Sequence, residues 1–246
     1  MDSTQQTIDY KTCGNGSNVL LLHGWGCNKD TMDVIYNALS ADFRLMSIDF
    51  PGFGNSPAPS SAWDVTDYME ALATFLQEQN FYPCHVIAHS FGARVAILLG
   101  ATHPEMVDKM VLTGAAGLIP KRKPSYYIKV YTYKAIKAVL RSIGINTDAF
   151  ALGKGSADYK VLSSEMKAVF VKVINQDLRP YLSKIQAPVL LIWGEDDQET
   201  PLYFSNIMEQ EIPNAGLTTY AGAGHYVFLD KPANFLAVVR YFLRGM

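Results

Sequence analysis

The sequence predicts an α/β fold, with a mostly parallel central sheet and helices on both of its faces. Three observations carry this. Short runs rich in Val, Ile and Leu alternate with stretches of helical spacing, the pattern of strands covered on both sides. A length of 246 residues suits one large α/β domain with a small insertion. Apolar residues at 49% with charged residues at 18% fit a globular chain, and 12% aromatics exclude a disordered one.

The elements follow in order. There is room for one strand near residues 7–13. SNVLLLHG is the first confident strand and ends at His23-Gly24, and residues 29–39 read as a helix. FRLMSIDF (43–50) is a strand followed by the turn-rich PGFGNSPAPSS. Residues 64–79 are helical, with Val65, Tyr68, Leu72, Phe75 and Leu76 on one face. CHVIAHS (84–90) is a strand and FGARVAILLGATH (91–103) a helix that starts at once after it. KMVLTGA (109–115) and APVLLIWGE (187–195) are strands. Residues 202–211 are a helix, 216–220 a short strand and 232–243 a final helix.

The alternation breaks within residues 118–180. This stretch holds twelve of the 21 Lys and Arg residues and carries +8, while the rest of the chain carries −10. Such asymmetry marks a separate substructure. The expected division is a core of residues 1–117 and 181–246, with 118–180 an insertion of three or four helices.

Other features exclude whole classes of function. A net charge of −2 gives no global field toward nucleic acid or an anionic membrane. Cys13, Cys27 and Cys84 are too few and too scattered for a disulfide scaffold or a zinc site. Free thiols fit a reducing compartment. The first twelve residues lack a basic region followed by an apolar one, and no apolar run nears the roughly 20 residues of a membrane span. A cytoplasmic location is expected, without stable membrane insertion. No histidine–carboxylate cluster has metal spacing and no phosphate loop occurs, so neither metal nor cofactor is expected.

Chemistry centres on Ala88-His89-Ser90-Phe91-Gly92, between a strand and a helix. A serine on so sharp a turn projects its hydroxyl from the carboxyl edge of the sheet. The following helix offers its N–H groups and dipole to a developing oxyanion. The competing reading is a serine that only caps the helix. Asp197 follows the strand APVLLIWGE and His225 lies in AGAGHYVF after the next short strand. Ser90, Asp197 and His225 thus sit at the carboxyl ends of different strands, where open parallel sheets bind ligands.

With these residues in order, the sequence resembles the α/β-hydrolase fold superfamily over nearly its whole length. The motifs are His23-Gly24-Trp25-Gly26, the turn at 49–56, the nucleophile elbow at 88–92, G-x-x-D-x-x-x-P at 194–201 and Gly224-His225. Ala88 departs from the glycine usual at the first elbow position. The resemblance implies Ser90 as nucleophile, His225 as general base and Asp197 as the residue that orients it. The backbone N–H groups of Trp25 and Phe91 correspond to the oxyanion hole, and 118–180 to the cap that selects substrates. His89, Tyr126, Tyr127, Tyr131 and Tyr133 are candidate pocket residues. The four tyrosines cannot all face one side of a helix, because neighbours point about 100° apart. The expected activity is a serine hydrolase cleaving a small ester without a cofactor. The alternatives are hydrolysis of a carbon–carbon bond in a vinylogous diketone, a thioesterase, lactonase, amidase or perhydrolase, and a non-enzymatic receptor on the same fold. The partners implied are a small-molecule substrate and at most a second copy of the chain as a homodimer.

Neighbouring residues have structural readings. Asp196 competes with Asp197 for the triad, and the register with Pro201 favours Asp197. His23 is expected to bond loop backbone, His85 and His103 to be structural, and Asp49 with Ser56 to fix a turn. His89 is open between pocket lining and packing. The cap lysines read either as an attraction for acidic substrates or as a solvated face.

Overall fold

The computed structural model describes residues 7–120, 132 and 162–245. Seven strands form one sheet in the order β1-β3-β2-β4-β5-β6-β7. They are β1 (Tyr10–Cys13), β2 (Asn18–Leu22), β3 (Arg44–Ile48), β4 (Cys84–His89), β5 (Val107–Thr113), β6 (Val189–Gly194) and β7 (Ala215–Tyr220). Only β1 runs antiparallel, against β3; the other pairs are parallel. The chain moves outward from β2 to β3, then returns across β2 to lay down β4. The carboxyl ends of β2 and β4 therefore flank the point where the winding reverses, where such sheets bind ligands.

Period-two alternation separates the two faces. Leu20, Leu22, Val86, Met110, Leu112, Leu191 and Trp193 pack on one side. Helices α2 (Val65–Glu78), α3 (Phe91–Thr102), α4 (Ser164–Asn175), α5 (Arg179–Leu182) and α6 (Tyr203–Glu211) lie there. Val19, Leu21, Leu45, Ile87, Val111 and Ile192 face the other side, under α1 (Asp33–Leu39), α7 (Val227–Asp230) and α8 (Pro232–Arg244). Helix α2 starts where the sequence has a capping box: Asp64 accepts from the Thr66 and Asp67 N–H groups, and Asp67 accepts from that of Asp64.

The predicted elements recur with small shifts at their ends. The segment at 29–39 divides into a 3₁₀ turn, Lys29–Met32, and α1. Helix α7, which directly follows Tyr226, is absent from the sequence reading because four residues show no helical period. Most of the insertion expected at 118–180, including Tyr126, Tyr127, Tyr131 and Tyr133, lies outside the described residues. Its final part is helical, as α4 and the one-turn α5.

Asp49 and Ser56 fix their turn as expected. The Asp49 carboxylate accepts from the Lys29 N–H at 2.6 Å, the Lys29 ammonium at 2.7 Å and the Asn55 N–H at 2.8 Å. Its side chain is fully buried. The Ser56 hydroxyl donates to the Asp49 carbonyl and accepts from the Asp9 N–H. Burial lowers the Lys29 pKa, but Asp49 and Asp9 together outweigh it and raise the pKa above the ordinary lysine value.

Asp49→Ala leaves the Lys29 ammonium and two loop N–H groups without their acceptor. It should cost about 3 kcal/mol, the low end for breaking a buried pair, because Asp9 still binds Lys29. Urea denaturation checks this; a loss under about 1 kcal/mol would contradict it.

Candidate active site

Three loops meet at the carboxyl ends of β2, β4 and β6. Ser90 joins β4 to α3 with φ 48° and ψ −106°, a conformation rare for a residue with a side chain. Backbone bonds hold it there: its N–H donates to Thr113, and its carbonyl accepts from Ala93 and Ala116. The turn also brings α3 against the end of β2. A Cβ at Gly92 would stand 2.6 Å from the Leu22 carbonyl oxygen, so only glycine fits. Ala88, where glycine is usual, is fully buried and packs in the core cluster on one face of β4.

His225 and Asp197 form the second part. The imidazole Nδ1–H donates to Asp197 Oδ2 at 2.8 Å. The other carboxylate oxygen accepts from the Glu199 and Thr200 N–H groups at 2.9 Å each, and the Thr200 hydroxyl donates to Oδ2. Burial opposes ionisation of Asp197, but the His225 and Thr200 hydrogen bonds outweigh it and hold its pKa below the ordinary value. Asp196 is exposed, and its N–H donates to Ala223 in the loop before His225. Gly114, at φ +51°, lies under the imidazole, where an added Cβ would come within 3.0 Å of Nδ1. His225 Nε2 points toward Glu199, 3.4 Å away.

A cavity of about 490 Å³ opens over Ser90. Trp25 and Phe91 share its lining with Phe170, Val173 and Ile174 of α4, and with Glu199 and Thr200 from the Asp197 loop. Among the described residues, the backbone N–H groups of Trp25 and Phe91 have no acceptor, whereas the Gly92 N–H is taken by His23. Edge-on ring contacts at 4.9–5.2 Å pack Trp25 among Phe53, Phe91 and Phe170.

His89, open in the sequence between pocket lining and packing, is not among the residues that line this cavity. The ring is fully buried and packs beside His225 and Tyr226, each at 4.6 Å, with Nδ1–H donating to Thr113. It alternates inward along β4, so it supports the site from behind. His23 bonds loop backbone as expected: it accepts from the Phe50 N–H and donates to the Gly24 carbonyl. Sequence reasoning missed Arg94, Phe170 and Glu199 as lining residues. The signal for Arg94 was its spacing, one turn after Ser90 on a helix otherwise apolar in that stretch.

A parallel sheet with its winding reversal at a serine elbow and an Asp–His pair defines a hydrolase of the α/β class. The model of the alpha/beta hydrolase family matches residues 19–238, and the chain belongs to that family. A pimeloyl-[acyl-carrier protein] methyl ester esterase of Nitrosomonas europaea is 27% identical, over 94% of this chain and 97% of that protein. A 2-hydroxy-6-oxononadienedioate/2-hydroxy-6-oxononatrienedioate hydrolase of Burkholderia vietnamiensis is 25% identical, over 99% and 93%. Among solved structures, an esterase from Exiguobacterium antarcticum superposes with a TM-score of 0.78 at 22% identity, covering 98% of each chain. Among the described residues no group of side chains is placed to hold a metal ion, and no helix is long and apolar enough to cross a membrane.

Burial pushes the pKa of His23 down to about 4 and that of His89 to about 3, the latter aided by His225 nearby. Both values lie below the unfolded value of about 6.5. Their contribution is therefore complete above pH 6.5 and declines as the pH falls, because the unfolded chain takes up the extra protons. The expected slope reaches about 1.4 kcal/mol per pH unit for each histidine. Urea denaturation at pH 7, 6 and 5 reads it, and His89→Gln should remove roughly half. Equal stability at pH 7 and 5 would contradict the assignment.

Proposed function

We propose that the chain is a serine hydrolase that cleaves a small carboxylic ester through an acyl-enzyme on Ser90. The observation that carries this is the strained Ser90 turn at a cavity shared with Glu199 and Thr200, together with an Asp197–His225 pair whose Nδ1 is already committed to the carboxylate. That commitment leaves Nε2 as the basic nitrogen. It takes the Ser90 proton as the hydroxyl attacks the ester carbonyl, then passes it to the departing alcohol. The N–H groups of Trp25 and Phe91 receive the oxyanion. A water deprotonated by His225 then releases the acid and restores Ser90. Asp197 stays ionised throughout, stabilising the imidazolium and its orientation.

The helical segment before β6 acts in this reading as part of a cap. Residues 118–180 form that unit against a core of 1–117 and 181–246, with Phe170, Val173 and Ile174 closing the apolar side of the cavity. The pimeloyl-[acyl-carrier protein] methyl ester esterases among the relatives support ester cleavage. The Burkholderia vietnamiensis relative supports a second reading, hydrolysis of a carbon–carbon bond in a vinylogous diketone. Turnover of simple methyl esters favours the first; turnover confined to a dienol substrate favours the second.

Ser90→Ala should lower kcat by about 10⁴-fold or more in a folded protein. Asp197→Asn should lower it by about 10³–10⁴-fold, and Asp196→Asn by less than about tenfold. Steady-state kinetics on short-chain methyl esters decides. Near-normal turnover by Ser90→Ala, or a reversed ranking of the two aspartates, would contradict the assignment.

A further inference from the structure

Arg94 is a buried cation in the wall of the substrate cavity, and the acyl-transfer reading gives it no part. It is the fourth residue after Ser90 on α3, about 6 Å further along the helix axis. The residue is 6% exposed and lines the cavity together with Ser90 and Phe91. A guanidinium has five N–H donors. Among the described residues this one makes a single hydrogen bond, from Nη1 to the Gln176 carbonyl at 3.0 Å. No carboxylate lies within ion-pair distance of it among those residues. Burial pulls its pKa down to about 10, against the field of Asp177, so it remains charged at neutral pH. A buried cation whose donors are mostly unused is costly unless an anion meets it.

Another part of the lining has the opposite sign. Glu199, whose side chain is 64% exposed, also lines the cavity and reaches within 3.4 Å of His225 Nε2. In acyl transfer that nitrogen protonates the leaving alcohol, so the alcohol side of the cavity is the anionic side. A negative group on the substrate is repelled there and attracted to Arg94. The apolar side chains of Phe170, Val173 and Ile174 lower the dielectric around the pair, which strengthens it.

We propose that Arg94 is a specificity-determining residue that binds a carboxylate on the acyl half of the substrate. The substrate class is then the monoester of a short dicarboxylic acid. The free carboxylate forms a fork with the guanidinium. Its ester carbonyl lies at Ser90, and about two to four methylenes span the helical turn between them. The neutral alcohol leaves past His225 and Glu199. This inference rests on the acyl-transfer reading above.

The test compares kcat/KM for monomethyl glutarate and methyl pentanoate, followed by proton release. The two differ in the terminal carboxylate and share the leaving group. Wild type should favour the glutarate by at least about tenfold, the ratio expected of one charge-assisted contact. Arg94→Gln should bring the ratio near one. If Arg94→Gln fails to fold, Arg94→Lys serves: it keeps a charge but loses the fork, and the ratio should fall part of the way. Calorimetric titration of glutarate into the Ser90→Ala protein reads the same contact without turnover, and adding Arg94→Gln or Arg94→Lys should weaken binding. A wild-type ratio of one or less overturns the proposal. So does an equal loss on both esters with glutarate binding unchanged, which marks Arg94 as only holding the Gln176 loop. If neither ester turns over but glutarate binding depends on Arg94, the subsite stands and the acyl-transfer reading falls.

Discussion

The backbone turn at Ser90 is the constraint on which the rest of the site depends. A residue with a side chain sits at φ 48° only because three backbone hydrogen bonds, to Thr113, Ala93 and Ala116, hold it there. The same turn drives α3 so close to β2 that Gly92 must lack a side chain, and it places the N–H groups of the first helical turn beside the serine hydroxyl. Thr113 ends β5, and Gly114 after it makes room for the imidazole of His225. The strained turn, the uncommitted Phe91 N–H and the Gly114 platform under His225 are thus parts of one arrangement of β2, β4 and β5.

Electrostatics divides the buried histidines by their partners. His23 and His89 meet backbone groups in dry surroundings and are held neutral, which suits supports that must not change charge during a reaction. His225 meets a carboxylate that is fixed by two N–H groups and a hydroxyl, so a positive imidazole has a counter-charge ready. The neutral rings around it add packing without competing for its proton.

Much of this was legible in the sequence. The strands announced themselves by Val, Ile and Leu runs, because a parallel sheet covered on both faces cannot hide polar residues. Gly92, Asp197 and Pro201 could be placed because tight backbone geometry restricts those positions to few residue types. The lining of the cavity was not legible. Arg94, Phe170 and Glu199 lie on three separate elements, and only the folded chain brings them together. His89 stayed open because adjacency to Ser90 in sequence says nothing about side: along β4 it packs inward while the elbow turns outward. The one-turn helix α7 was missed because so short an element has no period to read.

The cavity is lined by residues of both signs, Arg94 and Glu199. Arg94 sits on the nucleophile helix and Glu199 in the loop that carries Asp197. Under the Arg94 proposal a substrate is ordered by charge before chemistry begins, and the apolar side chains of α4 serve to exclude water.

The central claim is that the Ser90 hydroxyl is activated by its turn and by the Asp197–His225 pair. Labelling the folded protein with a fluorophosphonate, followed by peptide mass spectrometry, tests it most directly. The account predicts one adduct, on Ser90, formed markedly more slowly in Asp197→Asn. An adduct on another residue, or none on the folded protein, would contradict it.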